Sequence, residues 1–264
     1  MKWQMHECND RREYISVMQK SELYQKQCEI DILTEDFKIL GFPLSEKQID
    51  QMLKYYEMLI EWNQVMNLTA ITEYADVVKK HFVDSISIVK ACDVDKFVSV
   101  IDVGTGAGFP GLVLKIVFPD LHITLLDSLH KRVQFLNHVI EALHLCNVRT
   151  IHGRAEDYAK QDSMRENFDL CVSRAVANLS TLSEYCIPFV RQGGMFISYK
   201  SEKVEEEVLR AADAITVLGG RLERQVEFML PNSDIYRKLI LIRKEKATPS
   251  RYPRKAGLPG KEPL

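Results

Sequence analysis

The chain has 264 residues, of which 46% are hydrophobic and 27% charged, with a formal net charge of −2. That apolar content supports a sizeable core. No run approaches the ~18 apolar residues a membrane helix needs, and the near-neutral balance gives no global sign of nucleic-acid binding. The six cysteines (8, 28, 92, 146, 171 and 186) form no C-x-x-C pair and no metal-ligand spacing, so reduced thiols and no bound metal are expected. Met1 to Lys20 is polar and lacks an apolar h-region, which argues against a secretory signal and for the cytoplasm.

In chain order, residues 1–28 form an extension with no assigned role, and residues 22–92 read as helices. Ser45 offers an N-cap ahead of apolar positions Ile49, Met52, Leu53, Tyr56, Leu59 and Ile60, which recur at helical spacing. Trp62 and Asn63 suit packing and helix-end capping. A second helix is expected from Asp76 to Val89, carrying His81 and Asp84 three residues apart near one face. That spacing suits a local hydrogen bond.

From residue 97 strands and helices alternate, the pattern of a parallel sheet covered on both faces. Strands are expected at 97–103, His122–Asp127, Val148–His152, Phe168–Ser173 and Gly194–Tyr199. Helices are expected at Lys131–Leu145, Leu179–Val190 and Glu202–Leu218, the last stopped by Gly219-Gly220. Then Leu222, Val226, Phe228 and Leu230 alternate, Pro231–Asp234 turns, and Tyr236–Ile242 returns, so the sheet ends in an antiparallel hairpin. The expected class is α/β: a doubly wound, mostly parallel sheet of seven strands with a C-terminal hairpin, preceded by N-terminal helices. The expected division is 1–28, a helical part 29–92, a core 93–246 and a basic tail 247–264.

The most informative stretch is Ile101-Asp102-Val103-Gly104-Thr105-Gly106-Ala107-Gly108-Phe109-Pro110-Gly111. Strand, tight glycine turn and helix make a place for a nucleotide-like cofactor, because glycine lets a ligand approach the backbone. A Gly-x-Gly-x-x-Gly fingerprint starting at Gly104 fails at Phe109, while one starting at Gly106 fits but begins late. The next strands close on Asp127-Ser128 and run into Ala155-Glu156. An acid at the second strand tip can accept from ribose hydroxyls, and Glu156, with the Ala155 backbone beside it, from an adenine amino group. Three acids at successive strand ends suit a cationic cofactor and would repel a pyrophosphate. That favours S-adenosylmethionine over NAD. An NAD(P)-dependent oxidoreductase stays open on the residues alone, as do a methyltransferase for a small molecule and a non-catalytic RNA-binding module.

Three further blocks accompany the glycine loop: Leu-Leu-Asp-Ser-Leu-His-Lys-Arg (125–132), Ser173-Arg174-Ala175, and the tail Arg251-Tyr252-Pro253-Arg254-Lys255-Ala256-Gly257. With Trp62-Asn63, Asn67-Leu68-Thr69 and His81-Phe82-Val83-Asp84-Ser85 upstream, the chain resembles the bacterial 16S rRNA guanine-N7 methyltransferases, the glucose-inhibited division protein B family. The likeness runs from about residue 30 to the end. It implies a class I methyltransferase-like fold, S-adenosylmethionine as cofactor, ribosomal RNA of the small subunit as partner, and a soluble monomer. It also implies that Arg174 contacts the cofactor or its surroundings. Cofactor contacts are expected at Asp102, Gly104, Gly106, Gly108, Phe109, Asp127, Ser128, Ala155, Glu156 and Arg174. Arg174 and Lys200 are expected to act at the reacting centre. Lys200 is followed by Ser201, where the family often has glycine.

From Arg243 onward seven Lys or Arg stand against Glu245 and Glu262, a net +5 that leaves −7 for the rest. The tail is expected to be extended, with Arg251, Arg254 and Lys255 on RNA beside His81 and Asp84. Guanine N7 carries a lone pair and no proton, so the expected chemistry needs no general base.

Overall fold

The computed structural model describes residues 24–174, 177–201 and 204–264. Among these, seven strands form one sheet in the order β3-β2-β1-β4-β5-β7-β6. They are β1 Ser99–Val103, β2 His122–Asp127, β3 Val148–His152, β4 Phe168–Arg174, β5 Val190–Lys200, β6 Gly220–Met229 and β7 Tyr236–Lys244. Strands β1 to β5 pair in parallel; β7 runs antiparallel to β5, and β6 antiparallel to β7. The order reverses at β1, so the carboxyl ends of β1 and β4 flank a crevice where ligands of such sheets bind.

Alternate strand residues point to opposite faces, and both faces are apolar. Val100, Leu125, Leu170, Val172, Leu239 and Leu241 join one core cluster, under α2 (Glu46–Met66), α5 (Gly111–Val117) and α6 (His130–Ala142). Ile101, Leu126, Cys171, Ile240 and Ile242 join the other, under α8 (Leu179–Cys186) and α10 (Ala212–Val217). Both predicted core cysteines, Cys171 and Cys186, are fully buried.

Ahead of the sheet, residues 24–39 form helix α1. Helix α2 starts at the predicted cap: Ser45 and Gln48 make a reciprocal capping box. Its buried stripe is Met52, Tyr55, Met58 and Leu59, rotated from the predicted one, so Tyr55 and not Tyr56 enters the core. Trp62 packs on Phe135 and His138, and the Asn63 side chain accepts the Thr69 N–H at 2.9 Å.

The predicted helix Asp76–Val89 is not regular. It runs as α3 (Tyr74–Val77), a π turn (Val78–Val83), α4 (Asp84–Ile86) and a 3₁₀ turn (Ser87–Lys90). In the π turn the Asp84 N–H reaches back to Lys79 O. Helix α8 stops before Pro188, which lacks the N–H a continued helix needs; residues Ile187–Phe189 form a 3₁₀ turn and β5 begins at Val190. The helix predicted over Glu202–Leu218 is two, α9 (Glu205–Arg210) and α10, meeting at Ala211.

The tail is folded, which corrects the expectation of an extended arm. Tyr252 and Thr248 are buried, and a short helix, α11, closes the chain at Leu258–Lys261. Arg165 donates to Thr248 O, Pro249 O and Tyr252 O at 2.6, 3.2 and 2.8 Å. Arg254 forks onto Glu184, a fully buried carboxylate of α8, with contacts of 2.7 to 3.1 Å. Composition suggested a solvated tail because its charges were counted as free, whereas Arg254 is paired over long range with Glu184. Among the described residues, no helix is long and apolar enough to cross a membrane.

Candidate functional site

Two cavities open at the carboxyl edge of the sheet, and Gly104 lines both. The smaller, about 220 Å³, is lined by Asp127, Ser128, Gly153, Arg154, Ala155, Glu156 and Tyr185. The larger, about 520 Å³, is lined by Thr69, His81, Asp84, Gly106, Phe109, Arg174, Lys200, Glu207 and Arg237 among others. The tips of β1, β2 and β3 surround the first; those of β4, β5 and β7 border the second.

The glycine loop between them is held from both sides. Asp127 Oδ2 accepts the Gly106 N–H at 2.9 Å, and its Oδ1 accepts the Leu129 N–H at 2.9 Å. Gly106 has φ +62° and open space where a side chain would stand. Asp102 lies beneath: its Oδ2 accepts from the Thr105 hydroxyl at 2.6 Å and from the Gly111 N–H at 2.8 Å. Burial pushes the Asp102 carboxyl up to about 6, against the pull of those two donors. Asp102 is fully buried and borders neither cavity, so it braces the loop and does not face the crevice. Gly108 is also beneath, where a Cβ would meet Leu112 and the Tyr55 hydroxyl. Tyr55 donates to Ala107 O from below.

The late fingerprint Gly106–Gly108–Gly111 therefore does not present three glycines to one ligand. Gly111 is set by packing, since its Cβ would stand 2.4 Å from Leu125 Cδ2.

The larger cavity is organised by Arg174 at the end of β4. Its guanidinium donates to Asp84 Oδ2 at 2.9 Å and to Lys80 O at 3.2 Å. Asp84 Oδ1 accepts from Arg237 Nε of β7 at 2.8 Å. One buried carboxylate thus holds two cations at the mouth of the crevice. Phe109 stacks on His81 at 4.6 Å and lies under the Arg174 guanidinium at 5.2 Å, serving both as cavity wall and as loop packing.

His81 Nδ1 lies 3.3 Å from Arg174 Nη2, and its Nε2 lies 2.9 Å from Thr69 Oγ1. An arginine only donates, so Nδ1 is the acceptor and Nε2 carries the proton. Burial, then the Arg174 charge, lower its pKa to about 3, so the imidazole is neutral at pH 7. Lys200 bonds to Ala177 O at 3.1 Å and Glu207 Oε1 at 2.6 Å.

The structure thus brings Gly104, Gly106, Phe109, Arg174, Lys200, His81 and Asp84 to one cavity, and Asp127, Ser128, Ala155 and Glu156 to the other. His81 and Asp84 use their polar atoms within the crevice wall. Of the predicted RNA contacts in the tail, Arg251 and Lys255 are exposed. Arg254 is not free, because Glu184 holds it. Glu156 Oε1 accepts the Gly257 N–H of the tail at 2.8 Å. Sequence reasoning gave no role to Thr69, Glu207 or Arg237. Arg237 left one signal, a charge inside the apolar strand Tyr236–Lys244.

Comparison with known proteins follows the same lines. Residues 48–236 match the family model described as GidB, rRNA small subunit methyltransferase G. The ribosomal RNA small subunit methyltransferase G of Lachnoclostridium phytofermentans is 51% identical over 230 residues, covering 87% of this chain and 95% of that protein. That of Alkaliphilus metalliredigens is 49% identical over 233 residues, covering 88% and 98%. Among solved structures, NSun6 from Pyrococcus horikoshii superposes with a TM-score of 0.50 at 14% identity, covering 63% of this chain and 52% of that one, a likeness of fold alone. The match over most of its length places this chain in the rRNA small subunit methyltransferase G family.

Proposed function

We propose that the chain transfers a methyl group from S-adenosylmethionine to N7 of a guanine in small-subunit ribosomal RNA. The observation that carries the reading is the crevice shared at Gly104. Asp127 and Glu156 line its inner cavity beside Arg154, and Arg174, Lys200 and Arg237 line the outer one with Phe109 and the carboxylates Asp84 and Glu207. A cofactor that joins an adenosine to a phosphate-free amino-acid tail fits such a pair, with the adenosine on the inner acids and the tail's carboxylate toward the outer cations. Glu156 would accept from the adenine amino group and Asp127 from the ribose hydroxyls. The open space at Gly106 admits a ligand against the backbone.

When bound, the cofactor supplies an electrophilic methyl on a sulfonium. The chain's residues hold and shield. N7 presents an in-plane lone pair, so no base has to remove a proton, and His81, its pKa lowered to about 3, is a weak base. Holding methyl and N7 in line can supply up to ~7–11 kcal/mol of barrier reduction. Arg174, fixed by Asp84 and stacked over Phe109, borders the transfer position and would order the incoming base. Guanine O6, beside N7, accepts from Arg or Lys, a role open to Lys200. Exposed Arg251 and Lys255 would meet the RNA backbone. In this reading the chain works in the cytoplasm as a monomer.

The test is to incubate small subunits from cells lacking this activity with the protein and labelled S-adenosylmethionine. Modified guanines are then mapped by N7-specific cleavage. One labelled guanine N7 in the small-subunit RNA supports the reading. Label on another atom, or none, contradicts it.

A further inference from the structure

The outer cavity contains one ion pair with an uncommitted side. Lys200 ends β5, and Glu207 stands on α9; they meet at 2.6 Å with side chains only 12% and 23% exposed. Among the described residues two carboxylates line this cavity, Asp84 and Glu207. Asp84 has one oxygen on Arg174 and the other on Arg237. Glu207 gives Oε1 to Lys200, and among the described residues its Oε2 accepts no hydrogen bond. A carboxylate with a sheltered, unshared oxygen beside the transfer position is equipped to accept from a substrate.

We propose that Glu207 reads the Watson–Crick edge of the accepting base, with Lys200 on the neighbouring carbonyl oxygen. This rests on the guanine reading above. Along that edge guanine presents an acceptor, O6, and then two donors, N1–H and the N2 amino group. The Lys200–Glu207 pair presents the complementary order: an ammonium donor fused to carboxylate acceptors. Carboxylate-to-N–H bonds of this kind are charge-assisted and directional. O6 lies between N7 and N1, so a base gripped on this edge still offers N7 toward Gly104.

Adenine reverses both positions. Its N6 amino group would face the ammonium and its N1 lone pair would face the carboxylate. A site whose buried polar groups are left unpaired rejects the wrong substrate far more strongly than a merely tight pocket. Bases drawn out of a stack are commonly read on this edge. The pair thereby adds base selectivity to a reaction whose nucleophile, N7, adenine also possesses.

The experiment compares the wild-type chain with Glu207→Gln and Glu207→Ala. The substrate is small-subunit RNA, splint-ligated to carry guanine or inosine at the accepting position. Inosine keeps N7, O6 and N1–H and lacks only the N2 amino group. The wild type is expected to favour guanine by roughly 10-fold in kcat/KM, the effect of one hydrogen bond. Glu207→Gln should lower kcat/KM on guanine by roughly 10- to 100-fold and bring the guanine-to-inosine ratio toward 1. Affinity for S-adenosylhomocysteine should stay at the wild-type value. A ratio unchanged in both variants overturns the assignment, including the case where both rates fall together, which marks a structural role only. If the wild type methylates neither RNA, the guanine reading itself falls and takes this inference with it.

Discussion

Arg174 and Asp84, on β4 and on the helical turn leading into the core, meet at 2.9 Å with side chains 14% and 5% exposed. Arg237 binds the other oxygen of the same carboxylate at 2.8 Å. Removing the shared anion would leave two sheltered cations facing each other. Breaking such a buried pair costs about 3–5 kcal/mol. Asp84→Ala is therefore expected to lower the unfolding free energy by an amount in that range in urea titrations. Arg174→Lys, which keeps charge but loses the fork, should cost little stability and reduce methylation at least 10-fold.

The tail gives a second expectation. Glu184 is fully buried and its charge is met by Arg254. Arg254→Ala should destabilise the fold by about 3 kcal/mol or more, seen as a drop in the urea midpoint. Arg251→Ala and Lys255→Ala, at exposed positions, should change stability by no more than about 0.5 kcal/mol. Each should lower the salt dependence of RNA binding by about one unit of slope. Equal stability losses in all three variants would contradict this division of the tail.

Two glycines of the loop should fail differently. Gly111→Ala places a Cβ 2.4 Å from Leu125 and 2.9 Å from Asp102 Oδ2, so it is expected to cost about 1–3 kcal/mol as overpacking. Gly106 has open space but φ +62°, so alanine there carries only the left-handed backbone penalty of about 1–2 kcal/mol. Its main effect should be weaker S-adenosylhomocysteine binding, by calorimetry, because the added methyl projects into the crevice.

His81 sets a pH dependence. Its folded pKa is about 3, below the ordinary 6.5. The unfolded chain therefore binds the extra proton between these values. The stability His81 contributes is complete above about pH 6.5 and declines as pH falls toward 3, by at most about 1.4 kcal/mol per pH unit. Replacing it with Gln should flatten the slope of stability against pH in that window. An unchanged slope would mean that His81 is already charged in the folded state.

Much of this was readable in the sequence, for a physical reason. Strand, glycine turn and helix, with acids at 102, 127 and 156, are local signals fixed by turn geometry and period. The hairpin was legible from the alternation ending at Pro231. What escaped depends on distance along the chain. Arg237 reaches Asp84 only because β7 lies beside β5. Arg254 looked free because its partner, Glu184, sits on α8. The π turn at Val78–Val83 left no period to detect. Tyr55 replaced Tyr56 in the core because a one-residue rotation of α2 leaves its apolar pattern nearly unchanged.

The central claim is that the two cavities meeting at Gly104 form one methyl-transfer crevice. A crystal structure with S-adenosylhomocysteine tests it most directly. The adenosyl end should lie between Asp127 and Glu156, with the sulfur beside Gly104 and facing Arg174 and Lys200. A ligand bound anywhere else on the chain, with both cavities vacant, would contradict the account.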